Sequence, residues 1–231
     1  QKTNTGHIDG DNNNAVKNED IGFIETFKDI IVFLIEKKGL LYNDLEGKLK
    51  HFKKDKDVVL ALVAQDGLAL EYVSVDMMKS NDYREVVLAA VNQNGHALMH
   101  VSRELDNYGE VVMAAVKKNG SALEWVSVDM KKSNGYKDIV LAAVNQNGRA
   151  LRHASEDFKN DREVVLAAVE RNGGALLYAS KDFKKDREVV LAAVKQKGVA
   201  LVYTYGFRDD LGVVFVAVLQ DVHALRYSNI D

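Results

Sequence analysis

At 231 residues, 47% of them apolar and 28% charged, the chain has an ordinary globular composition that excludes disorder throughout. Its 31 Lys and Arg nearly balance 34 Asp and Glu, so the basic footprint of a phosphate-binding protein is missing and nucleic acid is disfavoured as a partner. The lack of cysteine excludes a disulfide framework and Cys-ligated zinc, and no apolar run approaches the roughly 20 residues that cross a bilayer.

Residues 1–19, "QKTNTGHIDGDNNNAVKNE", show no periodicity and are expected to form a polar, flexible leader without a visible secretory signal. From residue 20 onward the chain repeats itself. Paired β-branched residues begin at Ile30, Val58, Val86, Val111, Ile139, Val164, Val189 and Val213, and a glycine follows nine residues later at 39, 67, 95, 120, 148, 173 and 198. Steps of 24 to 28 residues, sustained in this way, predict an all-α solenoid of about eight two-helix repeats. The divisions are a capped first unit over 20–54, regular units over 55–209 and an irregular last unit over 210–231. The stretch from Asp20 to Phe27 extends the first helix as a cap, and Phe33 and Leu34 replace the small pair seen as Ala167 and Ala168.

Within each unit the first helix starts after an N-capping Asp such as Asp55, Asp161 or Asp186, with an acid in its first turn. Its VVLAAV core is apolar on every side and is expected to be buried on every side. With no proline in the chain, glycine is the punctuation, read here as a left-handed residue that ends the helix. A second helix follows, apolar in one stripe at the second, third, sixth and tenth positions after the glycine, as in Ala150, Leu151, Ala154 and Phe158. In the last unit Val222 replaces glycine, so the turn is expected at Asp221, or the two helices merge.

The units written "DREVVLAAV", two variable residues, "NG", one variable residue and "AL" resemble the bihelical repeats of domain-of-unknown-function family 4116. The resemblance is strong over about 55–205 and weak in the end units. It implies a helical array, transfers no catalytic residue, and points to protists and to bacteria that live inside host cells, including their secreted effectors. The location expected is therefore the cytoplasm, or a host cell if the protein is an effector.

Function is sought where units differ. The fifth position after each turn holds Tyr72, His100, Trp125, His153, Tyr178, Tyr203 and Tyr227, placed by a 3.6-residue wheel on the outward side of the second helix. Such a ladder either covers the VVLAAV layer or offers a partner-binding strip, since Tyr, Trp and Arg carry much interface energy. Glu124, Arg149 and Arg152 give Trp125 and His153 a polar rim, making this the best partner site. Tyr83, Tyr108 and Tyr136 precede three successive first helices and form a second patch, or else anchor the longer connections. His96 and His100 stand four apart but lack the motif and third ligand of a zinc site, so no metal and no cofactor is expected. Ser74, Ser102, Ser127, Ser155 and Ser180 recur too regularly to be nucleophiles, and capping explains them. The expected function is non-enzymatic recognition of a protein or peptide. The alternatives are a structural or targeting module of a larger protein and, third, binding of single-stranded RNA.

Overall fold

A computed structural model describes residues 27–39 and 52–230 of the chain. The leader expected over 1–19, and the cap from Asp20 up to residue 26, lie outside the described residues. Eight long helices start where the VVLAAV blocks place them: α1 (Phe27–Lys38), α2 (Lys56–Gln65), α3 (Tyr83–Gln93), α4 (Tyr108–Lys118), α5 (Tyr136–Gln146), α6 (Arg162–Arg171), α7 (Arg187–Gln196) and α8 (Leu211–Gln220). Each packs on the next, and from α2 onward the segments that follow them pack on one another in the same order, which makes a two-layer solenoid.

Asp55, Asp161, Asp186 and Asp210 cap α2, α6, α7 and α8, each carboxylate accepting from backbone N–H groups of the first turn. Helices α3, α4 and α5 begin instead at a tyrosine, without a side-chain cap. In α6 the positions Val164, Val165, Ala168 and Val169 are fully buried, while Leu166 and Ala167 are half-buried. Burial on every side is therefore corrected: four of six positions face neighbours, and the middle pair lies at the surface of the layer.

In every unit whose second element is described, that element is not an α-helix. It is a six-residue 3₁₀ helix, as in Gly67–Tyr72, Gly95–His100, Gly120–Trp125 and Gly148–His153. An extended residue follows, and several units then add a short helix such as Val75–Met78, Val128–Lys131 or Glu156–Lys159. The predicted stripe survives this change: Ala150, Leu151 and Ala154 are buried and Phe158 is half-buried. Ser74 and Ser127 cap two of the short helices, accepting from the Met77 and Met130 N–H groups at 3.2 Å.

The repeated glycine serves a purpose other than the one expected. Among the described glycines only Gly39 and Gly206 have positive φ. The turn itself is made by the preceding residue in extended conformation: Asn172 (φ −154°, ψ 107°) donates its N–H to the Ala168 carbonyl and accepts from Gly174 N–H at 2.9 Å, ending one helix and starting the next. What demands glycine is the following unit. A Cβ on Gly148, Gly173 or Gly198 would lie 2.2 Å from the carbonyl oxygen of Ala168, Ala193 or Ala217 in the next long helix. The close seam is reinforced by a glutamine clamp. Gln93 accepts from the Gly67 N–H at 2.8 Å and donates to the Gln65 carbonyl at 2.9 Å, and Gln146 repeats this on Gly120 and Lys118.

The last unit keeps both elements, with the turn at Asp221 (φ −150°) and a 3₁₀ helix over Val222–Tyr227. Val222 is 64% exposed, since among the described residues no further helix abuts it.

Candidate functional site

A 3₁₀ helix repeats every three residues, so the fifth position after the turn eclipses the second rather than pointing outward. The second position is the buried alanine of each unit, and its eclipsed partner is drawn inward with it. Tyr72, Tyr178, Tyr203 and Tyr227 accordingly lie half-buried against the core, and His100 and His153 are also half-buried. Trp125, at 36% exposure, is the outermost member of the column. The most outward position is the fourth, exposed at Glu71, Met99, Glu124, Arg152 and Leu177, and Arg149, an exposed first position, stands in line with Arg152. His96 and His100, four apart on the 3₁₀ helix Gly95–His100, fall a third of a turn out of line. Among the described residues no group of three or more His, Asp or Glu could hold a metal ion.

Around Trp125 the polar rim is partly assembled. Arg152 Nε donates to His153 Nε2 at 2.6 Å, while Glu124 Oε2 lies 3.9 Å from the same nitrogen. These contacts require opposite states of the ring, because an imidazole that accepts from arginine is neutral and one that pairs with Glu124 is charged. The shorter bond decides. Burial first, and then the Arg152 charge, push His153 below its ordinary value, so near neutral pH it is an acceptor that fixes Arg152. The Arg149 side chain forms no ion pair among the described residues.

The second expected patch does not exist as a surface. Tyr83, Tyr108 and Tyr136 are buried, at 1%, 8% and 1% exposure, as first residues of α3, α4 and α5. Each ring fills the entry to its helix, where the other units place a capping Asp at the surface. The Tyr83 hydroxyl accepts from Ser102 N–H at 3.2 Å. The Tyr136 hydroxyl is buried without a partner, its ring edge-on to Phe158 at 5.4 Å, and burial pushes its pKa up to about 12.

The surface that the sequence reading missed lies on the long helices. The third residue of the apolar block, Leu60, Leu88, Met113, Leu141, Leu166 and Leu191, is half-buried in each of α2 to α7, and Phe215 in α8 is 64% exposed. Shallow grooves run between neighbours of this row. One is lined by Leu166, Glu170, Glu188, Leu191 and Lys195, another by Asn92, Glu110, Met113, Lys117 and Lys118. The signal was present in α6, where Glu163, Leu166 and Glu170 share one helix face, placing the leucine within a polar stripe.

Beside the row runs a ladder of ion pairs between units. Lys56 reaches Asp82 at 3.1 Å and Glu85 at 2.7 Å, Arg84 reaches Glu110 at 2.6 Å, and Lys137 reaches Asp161 at 2.9 Å and Glu163 at 2.8 Å. Arg162 likewise pairs with Asp186 at 2.6 Å and with Glu188, the acids of the next unit rather than the adjacent Glu163. Exposed pairs of this kind stabilise little individually, and being alike from junction to junction they favour the direction of stacking rather than an order of units. The ladder is interrupted once among the described residues, where Gly109 stands in the basic column opposite Asp138.

A two-layer array whose seams are all built alike, with surface features repeating at each unit, defines an α-helical repeat protein. The family described as Domain of unknown function (DUF4116) matches residues 28–79, 83–131, 136–184 and 161–205, and the chain belongs to it. Neither a curated protein nor a solved structure matches the chain. Among the described residues no helix is long and apolar enough to cross a membrane.

Proposed function

We propose that the chain is a non-enzymatic recognition scaffold that holds a protein or peptide segment along the exposed face of its long helices. The observation that carries this reading is the unbroken row Leu60, Leu88, Met113, Leu141, Leu166 and Leu191, which packs against the core on one side and leaves its other side open along six successive helices. Grooves flanked by Glu110, Lys117 and Lys118, and by Glu170, Glu188 and Lys195, give such a segment both apolar anchoring and charges that set its register. A second surface, Trp125 with Arg149 and Arg152 of the next 3₁₀ helix, is favoured by the exposure of the one tryptophan and of both arginines.

Three proteins separate these readings: the wild-type chain, Met113→Glu with Leu166→Glu, and Trp125→Ala with Arg149→Ala and Arg152→Ala. Circular dichroism establishes that each is folded before cross-linking and pull-down. The first pair of substitutions is expected to abolish capture of a partner that the second set retains. The opposite pattern moves the site to the 3₁₀ layer, and identical partner sets from all three refute both surfaces.

A further inference from the structure

Helix α8 departs from every other long helix in having no charged residue. Leu211 stands in the column occupied by Lys56, Arg84, Lys137, Arg162 and Arg187, and Leu219 replaces the Asn, Lys or Glu of α3 to α7. Leu211, Phe215 and Leu219 are 72%, 64% and 70% exposed. Beside them Leu225 is 52% exposed, although the same column in inner units, from Leu70 to Leu201, is at most 2% exposed. With Val222 these side chains leave roughly 600 Å² of apolar surface, at the top of the range for the largest patch on a monomer and near the roughly 800 Å² that each partner of a standard interface covers.

A further unit of the same kind does not fit on this face. Each inner seam requires glycine against the Ala90, Ala115, Ala143, Ala168, Ala193 or Ala217 carbonyl of the helix that follows. Val222 puts a branched side chain at that point of contact. The block applies equally to the first unit of another copy arriving head to tail. A two-fold pairing of α8 with α8 avoids it, because the faces meet without reproducing the seam. Two-fold packing sets the same surface on both sides, and a charge-free helix meets its own copy without desolvating an ionised side chain.

We infer that the α8 face is a homodimer interface, in which Phe215 and Leu219 of two copies pack across a two-fold axis. This surface is separate from the long-helix row and does not depend on the scaffold reading. Sedimentation equilibrium of the chain over a range of concentrations is the test, with three variants alongside. The wild type is expected to show a monomer–dimer equilibrium in the micromolar range. Phe215→Glu raises the dissociation constant about a hundredfold or more, since the symmetry counts each anchor twice. Val222→Arg, at an exposed position outside α8, does the same if Phe215→Glu disturbs folding. Phe27→Glu, at the far end of the array, leaves the dimer intact. A wild type that stays monomeric, a dimer indifferent to both Phe215→Glu and Val222→Arg, or loss of association with Phe27→Glu overturns the assignment.

Discussion

Gly173→Ala is expected to open the seam between α6 and α7. The new Cβ lies 2.2 Å from the Ala193 carbonyl oxygen, 3.0 Å from the Lys197 Cβ and 3.1 Å from the Ala193 carbonyl carbon. Two of these three atoms are backbone, so relief requires the next unit to move by about 1 Å rather than a side chain to rotate. Overpacking of a close-packed interior costs about 1–3 kcal/mol. The movement also stretches the bond from the Gly173 N–H to the Gln196 side chain, a further 0.5–1.5 kcal/mol or about that. The sum, about 2–4 kcal/mol, corresponds to a fall of about 5–15 °C in Tm for a domain of this size. Urea melts followed by circular dichroism measure it, alongside Gly173→Asn and Gly206→Asn. Asparagine tolerates a left-handed turn, so it is accepted at Gly206 (φ +83°), where nothing lies within 4 Å of the added Cβ. At Gly173 it is expected to be at least as damaging as alanine. A Gly173→Ala protein within 0.5 kcal/mol of wild type, or one rescued by asparagine, would refute the steric account and restore the conformational one.

Two further outcomes follow from the buried tyrosines and from the titrating groups. Tyr136→Phe removes a hydroxyl without a partner and is expected to leave stability unchanged or slightly raised, whereas Tyr83→Phe deprives the Ser102 N–H of its acceptor and costs about 1 kcal/mol. Chemical denaturation of the two variants, compared with wild type, reads the difference directly. His153 sits below its ordinary value, as do Asp186, held down by Arg162, and Asp161, in which burial is outweighed by Lys137 and the first-turn N–H groups. In each case the unfolded chain binds more protons than the folded one, so stability rises with pH. The histidine contribution is complete above about pH 6.5 and is lost as pH falls through the lower folded value, and the aspartate contribution is lost below about pH 4. A pH series of melts is expected to show both steps, with the upper one missing in His153→Gln. An unchanged upper step in that variant would contradict the assignment.

The array was legible because the VVLAAV blocks and the glycine column are local patterns, and every long helix begins within a few residues of its predicted place. The second element was misread because Ala150, Leu151 and Ala154, at the second, third and sixth positions, satisfy a period of 3.0 as well as 3.6. Only the persistent ring at the fifth position, which a 3.6 wheel leaves facing water in seven units, hinted at the tighter helix. The reason for glycine was hidden for a different cause: the atom that excludes a side chain at Gly173 is the Ala193 carbonyl, twenty residues away and in another unit. Tyr83, Tyr108 and Tyr136 were assigned to an edge because they stand where other units carry a polar cap. The rings turn inward as the first residues of their helices, after a long connection at Tyr83 and Tyr136 and after an ordinary one at Tyr108, so spacing alone does not specify it. The leucine row was within reach, since Glu163 and Glu170 flank Leu166 on one helix face, but an apolar block is easily taken as wholly interior.

The clamps and the ion-pair ladder run in one direction only. Where they are present, the glycine N–H and the basic residue point forward and the glutamine and acids backward, to whichever neighbour carries the complementary set. Tandem duplication of the coding stretch for one such module would therefore insert a part already shaped for both of its new joints. Length in this architecture can change by whole multiples without redesign of any junction, and substitutions at the exposed columns can then diversify each added copy independently.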